Sequence, residues 1–164
     1  MSFEAGFVEF RIEVAGDVQI QRRLEGMLRR VDDWSPAFER IANHFQAHMA
    51  EVFATEGGAT AHGKWTPLSP AYAKTKPAGK KILERDDLLR QAMTGGAGSI
   101  RSVSPHELQI GGTRRSANGR WDVGLIHQKG TDDGRVPMRP IIDLPEEQKR
   151  LYMQEIRVHL WAEQ

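Results

Sequence analysis

V-G-L-I-H-Q-K-G, from Val123 to Gly130, runs into T-D-D-G-R, Thr131 to Arg135, and then into V-P-M-R-P-I-I-D-L, Val136 to Leu144. An apolar segment enters, a charged loop follows, and a proline-bracketed segment leaves toward Ile141 and Ile142. By itself the first segment reads as a short strand, and the last as a rigid return that brings another strand near Ile141. The loop between them has two Asp, a Gly and no apolar residue, which predicts an exposed, mobile projection. Pro137 and Pro140 fix their own φ and push Val136 and Arg139 toward extended backbone. Arg139 is then held on a stiff spacer, its guanidinium fork open to a carboxylate or a backbone carbonyl. Nothing in the stretch has the makings of a reaction centre.

The chain around it has 164 residues, the size of one domain, 1–164. Charged residues make up 27% and apolar residues 39%, the composition of a soluble protein. A net charge of +1 gives no global excess for holding a nucleic acid, so any basic surface is local. The absence of Cys excludes disulfides, thiolate metal sites and thiol nucleophiles. No apolar run reaches the roughly 18 residues of a membrane span, so no membrane partner is expected. The N-terminus, Met-Ser-Phe-Glu-Ala-Gly, lacks the pattern of a signal peptide, and synthesis and folding in a cytoplasm are expected.

Before the opening stretch, Phe7–Val14 alternates, with Val8, Phe10, Ile12 and Val14 on one face: a half-buried strand. Ile20, Leu24, Met27, Leu28 and Val31 mark a helix over Val18–Val31, with Asp17 as its N-cap. Ser35-Pro36 starts a second helix, to about Thr55, with the stripe Phe38, Ile41, Phe45, Met49, Val52 and Phe53. Gly57–Lys64 is small and Gly-rich and reads as a flexible loop. Trp65-Thr66-Pro67-Leu68 is an apolar anchor, and Ser69-Pro70 caps a short helical turn. Lys74–Lys81 carries four Lys. Asp86 or Asp87 caps a small helix containing Leu88, Leu89 and Met93. Ser99–Ser104 and Glu107–Gly111 flank Pro105-His106 as a β-hairpin, and Arg114–Arg120 is a basic loop. After Pro145, Glu146–Trp161 is helical, with Leu151, Ile156 and Leu160 near one face and Glu146-Glu147 at its positive end. The predicted class is α+β: an antiparallel sheet, two long helices on one face, extended flexible loops and a C-terminal helix over 146–164.

Candidate chemistry is sparse. His44 and His48 lie one helical turn apart with Glu51 beyond, a spacing that can share a metal ion. Phe45 stands where a metalloprotease helix needs its general base, so a half-covered helix face explains the pair better. His127 follows Leu125-Ile126 with no Ser or Cys elbow and no motif-placed carboxylate, which favours a structural histidine bonded locally or to Gln128. The Lys74–Lys81 cluster lacks interleaved aromatics and a phosphate-loop pattern, so a solvated loop is favoured over contact with an acidic partner or DNA. Asp86-Asp87 reads as a helix cap, and Asp132-Asp133 as loop solvation. No cofactor or metal is expected, and no enzymatic activity.

The order of these pieces resembles the virion morphogenesis, or tail completion, proteins of Mu-like and P2-like phages and prophages. That family carries W-x-P-L-S, a Lys-rich stretch, I-L-x-x-T-G-x-L, a strand pair ending in I-G, Y-A-x-I-H-Q-x-G and a P-x-R-P-F-L-like segment. Here the corresponding residues are Trp65–Ser69, Ile82-Leu83 through Leu88 or Leu89, Ile110-Gly111, Ile126–Gly130 and Pro137–Ile142. The match spans about Gln19 to Leu144 within a family-like core of 1–145. Asp86-Asp87 departs from Thr-Gly, Val123-Gly124 from Tyr-Ala, and Lys129 from an apolar residue. The resemblance implies a structural protein of the virion neck or head-proximal tail, assembled in the host bacterial cytoplasm, that readies the tail for joining to the head. It implies partners too: a ring of copies of itself, and tail tube, terminator or head connector proteins. The contact residues so implied are Trp65, Lys76 and Lys80, then His127, Gln128 and Gly130, then Arg135, Pro137, Arg139 and Pro140. The alternative is a nucleic-acid-binding module using Lys74–Lys81 and Arg114–Arg120. A third reading is a metal-dependent hydrolase using His44, His48 and Glu51.

Overall fold

The computed structural model describes residues 17–162, and the alternating segment Phe7–Val14 lies outside them. Six helices and one hairpin follow in the described chain: α1 (Asp17–Asp32), α2 (Ser35–Ala54), α3 (Pro70–Thr75), α4 (Leu88–Met93), β1 (Ser99–Val103), β2 (Leu108–Gly112), α5 (Val123–Lys129) and α6 (Glu146–Trp161). The class is α+β with a C-terminal helix.

The core forms around α2. Its spacing puts Phe45, Met49, Val52 and Phe53 on one side, where Trp65, Leu89 and Met93 of α4, and Ile141 close over them. The helix begins at Ser35, and the Asp33 carboxylate accepts the Ser35 N–H at 2.9 Å, so Asp33 supplies the capping oxygen expected from Ser35. It ends where Glu56 turns left-handed (φ 53°) and the Gly57 N–H reaches back to the Val52 carbonyl at 2.8 Å. Gly57 itself has φ +89°, and a Cβ there would sit 2.5 Å from Cδ1 of Trp65. The following Gly-rich stretch folds into bonded turns, with buried Thr60 donating its hydroxyl to the Gly57 carbonyl at 2.8 Å.

α2 and α4 lie against the hairpin, in which Arg101 faces Ile110 and Val103 faces Leu108. Together β1 and β2 make a two-stranded antiparallel sheet, which is the whole sheet among the described residues. α6 crosses α2 and α1. Its Glu155 accepts from Arg40 at 2.5 Å and lies 3.2 Å from Nε2 of His44. At its C-terminal end α1 is tied to α6, where Arg30 Nε donates to the Leu160 carbonyl and His159 Nε2 meets the Arg30 carbonyl, each at 2.9 Å. Ile20, Leu24 and Leu28 of α1 are each more than half exposed.

The opening stretch corrects the strand expectation. Val123–Lys129 is a helix, capped by Asp122, whose carboxylate accepts the Leu125 N–H at 2.9 Å, and stopped at Gly130 with φ 74°. Nor is Ile141 on a strand: among the described residues the segment from Val136 onward joins no ladder. Two prolines remove N–H donors there, and the N–H groups of Arg139, Ile141 and Ile142 bond to α5.

Candidate functional site

Three separated stretches converge behind α5. Trp65 is 3% exposed; its ring meets Phe53 edge-on at 5.5 Å, and Nε1–H donates to the Pro140 carbonyl at 2.7 Å. Gln128 reaches from α5 to the return segment. Its Oε1 accepts the N–H groups of Ile141 and Ile142 at 2.8 and 2.9 Å, and its Nε2 donates to the Ile142 carbonyl at 3.0 Å. The Arg139 N–H donates to the His127 carbonyl at 2.7 Å. The Arg139 side chain is 4% exposed; Nε donates to the Thr66 carbonyl at 2.8 Å and Nη2 to the Pro67 carbonyl at 3.2 Å. Of the two partners the spacer left open for this guanidinium, the structure supplies the backbone carbonyl. Gly130 makes the close approach, since a Cβ there would lie 2.9 Å from the Met138 nitrogen. The W-T-P-L-S, H-Q-K-G and P-M-R-P pieces are thus one hydrogen-bonded brace.

In front of the brace lies a cleft of about 790 Å³. Leu68 and Tyr72 form one side, Val123 and His127 of α5 another, and Val136 and Pro137 the third, with Leu83 and Leu89 also lining it. Five cations line it: Lys76, Arg85, Arg114, Arg135 and Arg139. Asp86 is the one carboxylate among the lining residues, and it receives Arg114 Nη2 at 2.6 Å. That bond to Arg114 holds the Asp86 carboxyl below its ordinary range. Burial lowers the pKa of Lys76, as it does that of Arg139. His127 is pushed down to about 4, first by burial and then by the charge of Arg139, so its imidazole is neutral at pH 7. Its Nδ1 is enclosed and has no hydrogen-bond partner among the described residues.

The expected contact residues divide accordingly. Lys76, His127, Arg135, Pro137 and Arg139 line the cleft. Trp65, Gln128, Gly130 and Pro140 belong to the brace behind it. Lys80 lies outside the cleft and pairs with Asp87. The loop 131–135 is exposed throughout, as its composition predicts, and is folded on itself by Thr131 Oγ1 donating to Asp133 Oδ1 at 2.7 Å. Asp87 holds the N-cap position of α4, left-handed with φ 59° and with no side-chain cap bond, while the Asp86 carboxylate accepts the Leu88 N–H at 3.2 Å. Tyr72, Arg85 and Asp86 are cleft residues that sequence reading did not assign. A Tyr one helical turn after Ser69-Pro70 and the charged pair Arg85-Asp86 were the signals present.

His44 and His48 do not converge. His44 faces Glu155, whereas His48 is 4% exposed, with neither ring nitrogen bonded among the described residues and its pKa lowered by burial. Among the described residues no group of three His, Cys, Asp or Glu could hold a metal ion, and no helix is long and apolar enough to cross a membrane. Compared with known proteins, the chain matches no family model, no curated protein and no solved structure.

Proposed function

We propose that this chain is a non-enzymatic phage assembly protein of the neck or head-proximal tail, which completes the tail for head–tail joining as a ring of copies. The observation that carries the reading is the brace. The motifs that give the resemblance are far apart in sequence, yet Trp65, Gln128 and Arg139 bind them into one unit. That unit presents the exposed loop 131–135 beside a cationic cleft, a rigid scaffold with projecting contact elements. A ring contact is heterologous, so each copy offers two different surfaces, and the cleft is suited to be one of them.

The test is genetic and structural. A phage lacking this gene accumulates filled heads and free tails, and added purified protein joins them. Deleting Thr131–Arg135 leaves the circular-dichroism spectrum unchanged and abolishes joining. Normal virions from the deletion phage would refute the proposal.

One observation favours a second reading, nucleic-acid binding: Lys76 and Arg114, from the two basic loops, line the same cleft. Against it, much of the basic charge is engaged within the chain. Lys81 Nζ donates to the Ala54 carbonyl at the C-terminal end of α2 at 2.6 Å, Lys80 pairs with Asp87, and Arg114 pairs with Asp86. This reading predicts DNA affinity that falls steeply with salt, and a flat titration removes it.

A further inference from the structure

We propose that the cleft between α3, α5 and the Val136–Pro137 segment is a docking site for an acidic peptide segment of a partner protein, one that carries an apolar side chain among its carboxylates. The charge distribution points there first. The whole chain carries a net charge of +1, yet the cleft sets Lys76, Arg85, Arg114 and Arg135, with Arg139 turned inward behind them, against the single carboxylate of Asp86. That concentration exists only because the fold gathers four separate stretches, bringing Lys76, Arg85, Arg114 and Arg135 to one concavity. Arg135 is 87% exposed at its side chain, with Asp133 of its own loop beside it at 3.2 Å. An incoming carboxylate therefore finds a cation still largely hydrated and free to turn toward it.

The lining chooses the kind of anion. Leu68, Leu83, Leu89, Val123 and Val136 give the cleft apolar surface, which free phosphate or a sugar–phosphate backbone cannot cover. At about 790 Å³ the cleft also falls within the roughly 300–1,000 Å³ of sites that enclose a ligand. Single-stranded nucleic acid is held by successive aromatic platforms along a groove, and Tyr72 is the only aromatic ring other than His127 in this lining. An apolar lining and surrounding cations match a short acidic segment with a Phe or Leu in it.

The inference deepens the assembly reading, from which it takes only that the partner is a protein. The probe is a fluorescein-labelled hexapeptide, Glu-Asp-Phe-Leu-Glu-Asp, titrated with the full chain by fluorescence anisotropy at about 50 mM salt. It is compared with Gln-Asn-Phe-Leu-Gln-Asn, with Glu-Asp-Ser-Gly-Glu-Asp, and with single- and double-stranded DNA of about 20 nucleotides. The acidic, apolar peptide is expected to bind at least about tenfold more tightly than either peptide control. Arg85→Glu with Arg135→Glu should weaken it by about tenfold or more, while Arg22→Glu with Arg23→Glu on α1 leaves it within about twofold. Should the glutamate pair misfold, Arg85→Gln with Arg135→Gln gives the same reading at smaller amplitude. Equal binding of the neutral peptide, equal weakening by both charge-reversal pairs, or tighter DNA binding that depends on Arg85 and Arg135 would each overturn the inference. The two proposals fail separately: peptide binding with normal head–tail joining by the cleft variant removes the assembly role of the site, and defective joining without peptide binding removes the peptide inference alone.

Discussion

Gly57 and Trp65 should be energetically coupled, and the coupling can be worked out from the structure. Trp65→Ala removes a buried ring, its edge-on contact with Phe53 at 5.5 Å and its 2.7 Å bond to the Pro140 carbonyl. Truncations of this size cost about 3–5 kcal/mol. Gly57→Ala does two things. It forces a side chain onto φ +89°, at roughly 1–2 kcal/mol, and it drives Cβ to 2.5 Å from Cδ1, 2.7 Å from Cγ and 2.7 Å from Nε1 of the Trp65 ring. Ordinary contact begins near 3.4 Å, so the ring must retreat by close to an ångström in a packed core, adding about 1–3 kcal/mol. In the Trp65→Ala background that second term vanishes and only the backbone term remains. The double variant is therefore less destabilised than the sum of the singles by about 1–3 kcal/mol. Urea unfolding followed by far-UV circular dichroism measures all four corners of the cycle, and each kcal/mol corresponds to roughly 2–4 °C in Tm for a chain of this size. Additivity within about 0.5 kcal/mol would show that Gly57 and Trp65 do not pack as described, and the brace would lose its anchor.

Other outcomes follow from the same geometry. Gln128→Ala removes three hydrogen bonds to the return segment and should cost about 2–4 kcal/mol, with faster hydrogen exchange at the Ile141 and Ile142 amides; Gln128→Glu, which still accepts both N–H groups, should cost less. The folded-state pKa of His127 lies near 4, below its ordinary 6.5, so folding disfavours its protonation. Stability is then full above pH 6.5 and declines as pH falls toward 4, by at most about 1.4 kcal/mol per unit before solvent screening reduces it; His127→Asn should flatten that decline in urea midpoints across this range. Glu155 is displaced the same way, its carboxyl held below 4.5 chiefly by the Arg40 bond. Its contribution is present above pH 4.5 and lost as pH falls through the lower folded value, so Glu155→Gln should blunt the acid limb below 4.5 and leave the His127 window untouched.

Much of the fold was legible wherever a long period was present. α1, α2 and α6 were placed to within a residue or two, and the hairpin around Pro105-His106 was found, because stripes and alternation of that length leave little room for another reading. The seven residues of α5 were not legible by the same means, since a short apolar run fits strand and helix alike. The better signal was at its ends: Asp122 and Gly130 are the N-cap and the left-handed stop of a two-turn helix. Half of the candidate site was likewise visible. Arg139 and His127 stood out by type and by their proline and glycine neighbours, but Arg85, Asp86 and Tyr72 carry no local mark of belonging with them.

The sequence by itself determined where the three long helices lie, where Gly and Pro punctuate the chain, and that four lysines crowd the stretch Lys74–Lys81. Those are consequences of side-chain periodicity and backbone restriction, which act over a few residues. Only the tertiary structure decided that Trp65 bonds to Pro140, that Arg139 turns inward to the carbonyls of Thr66 and Pro67, and that cations from four stretches share one cleft. These depend on burial, which strips water from donors and carbonyls and makes each find a partner among whatever the fold brings within about 3 Å.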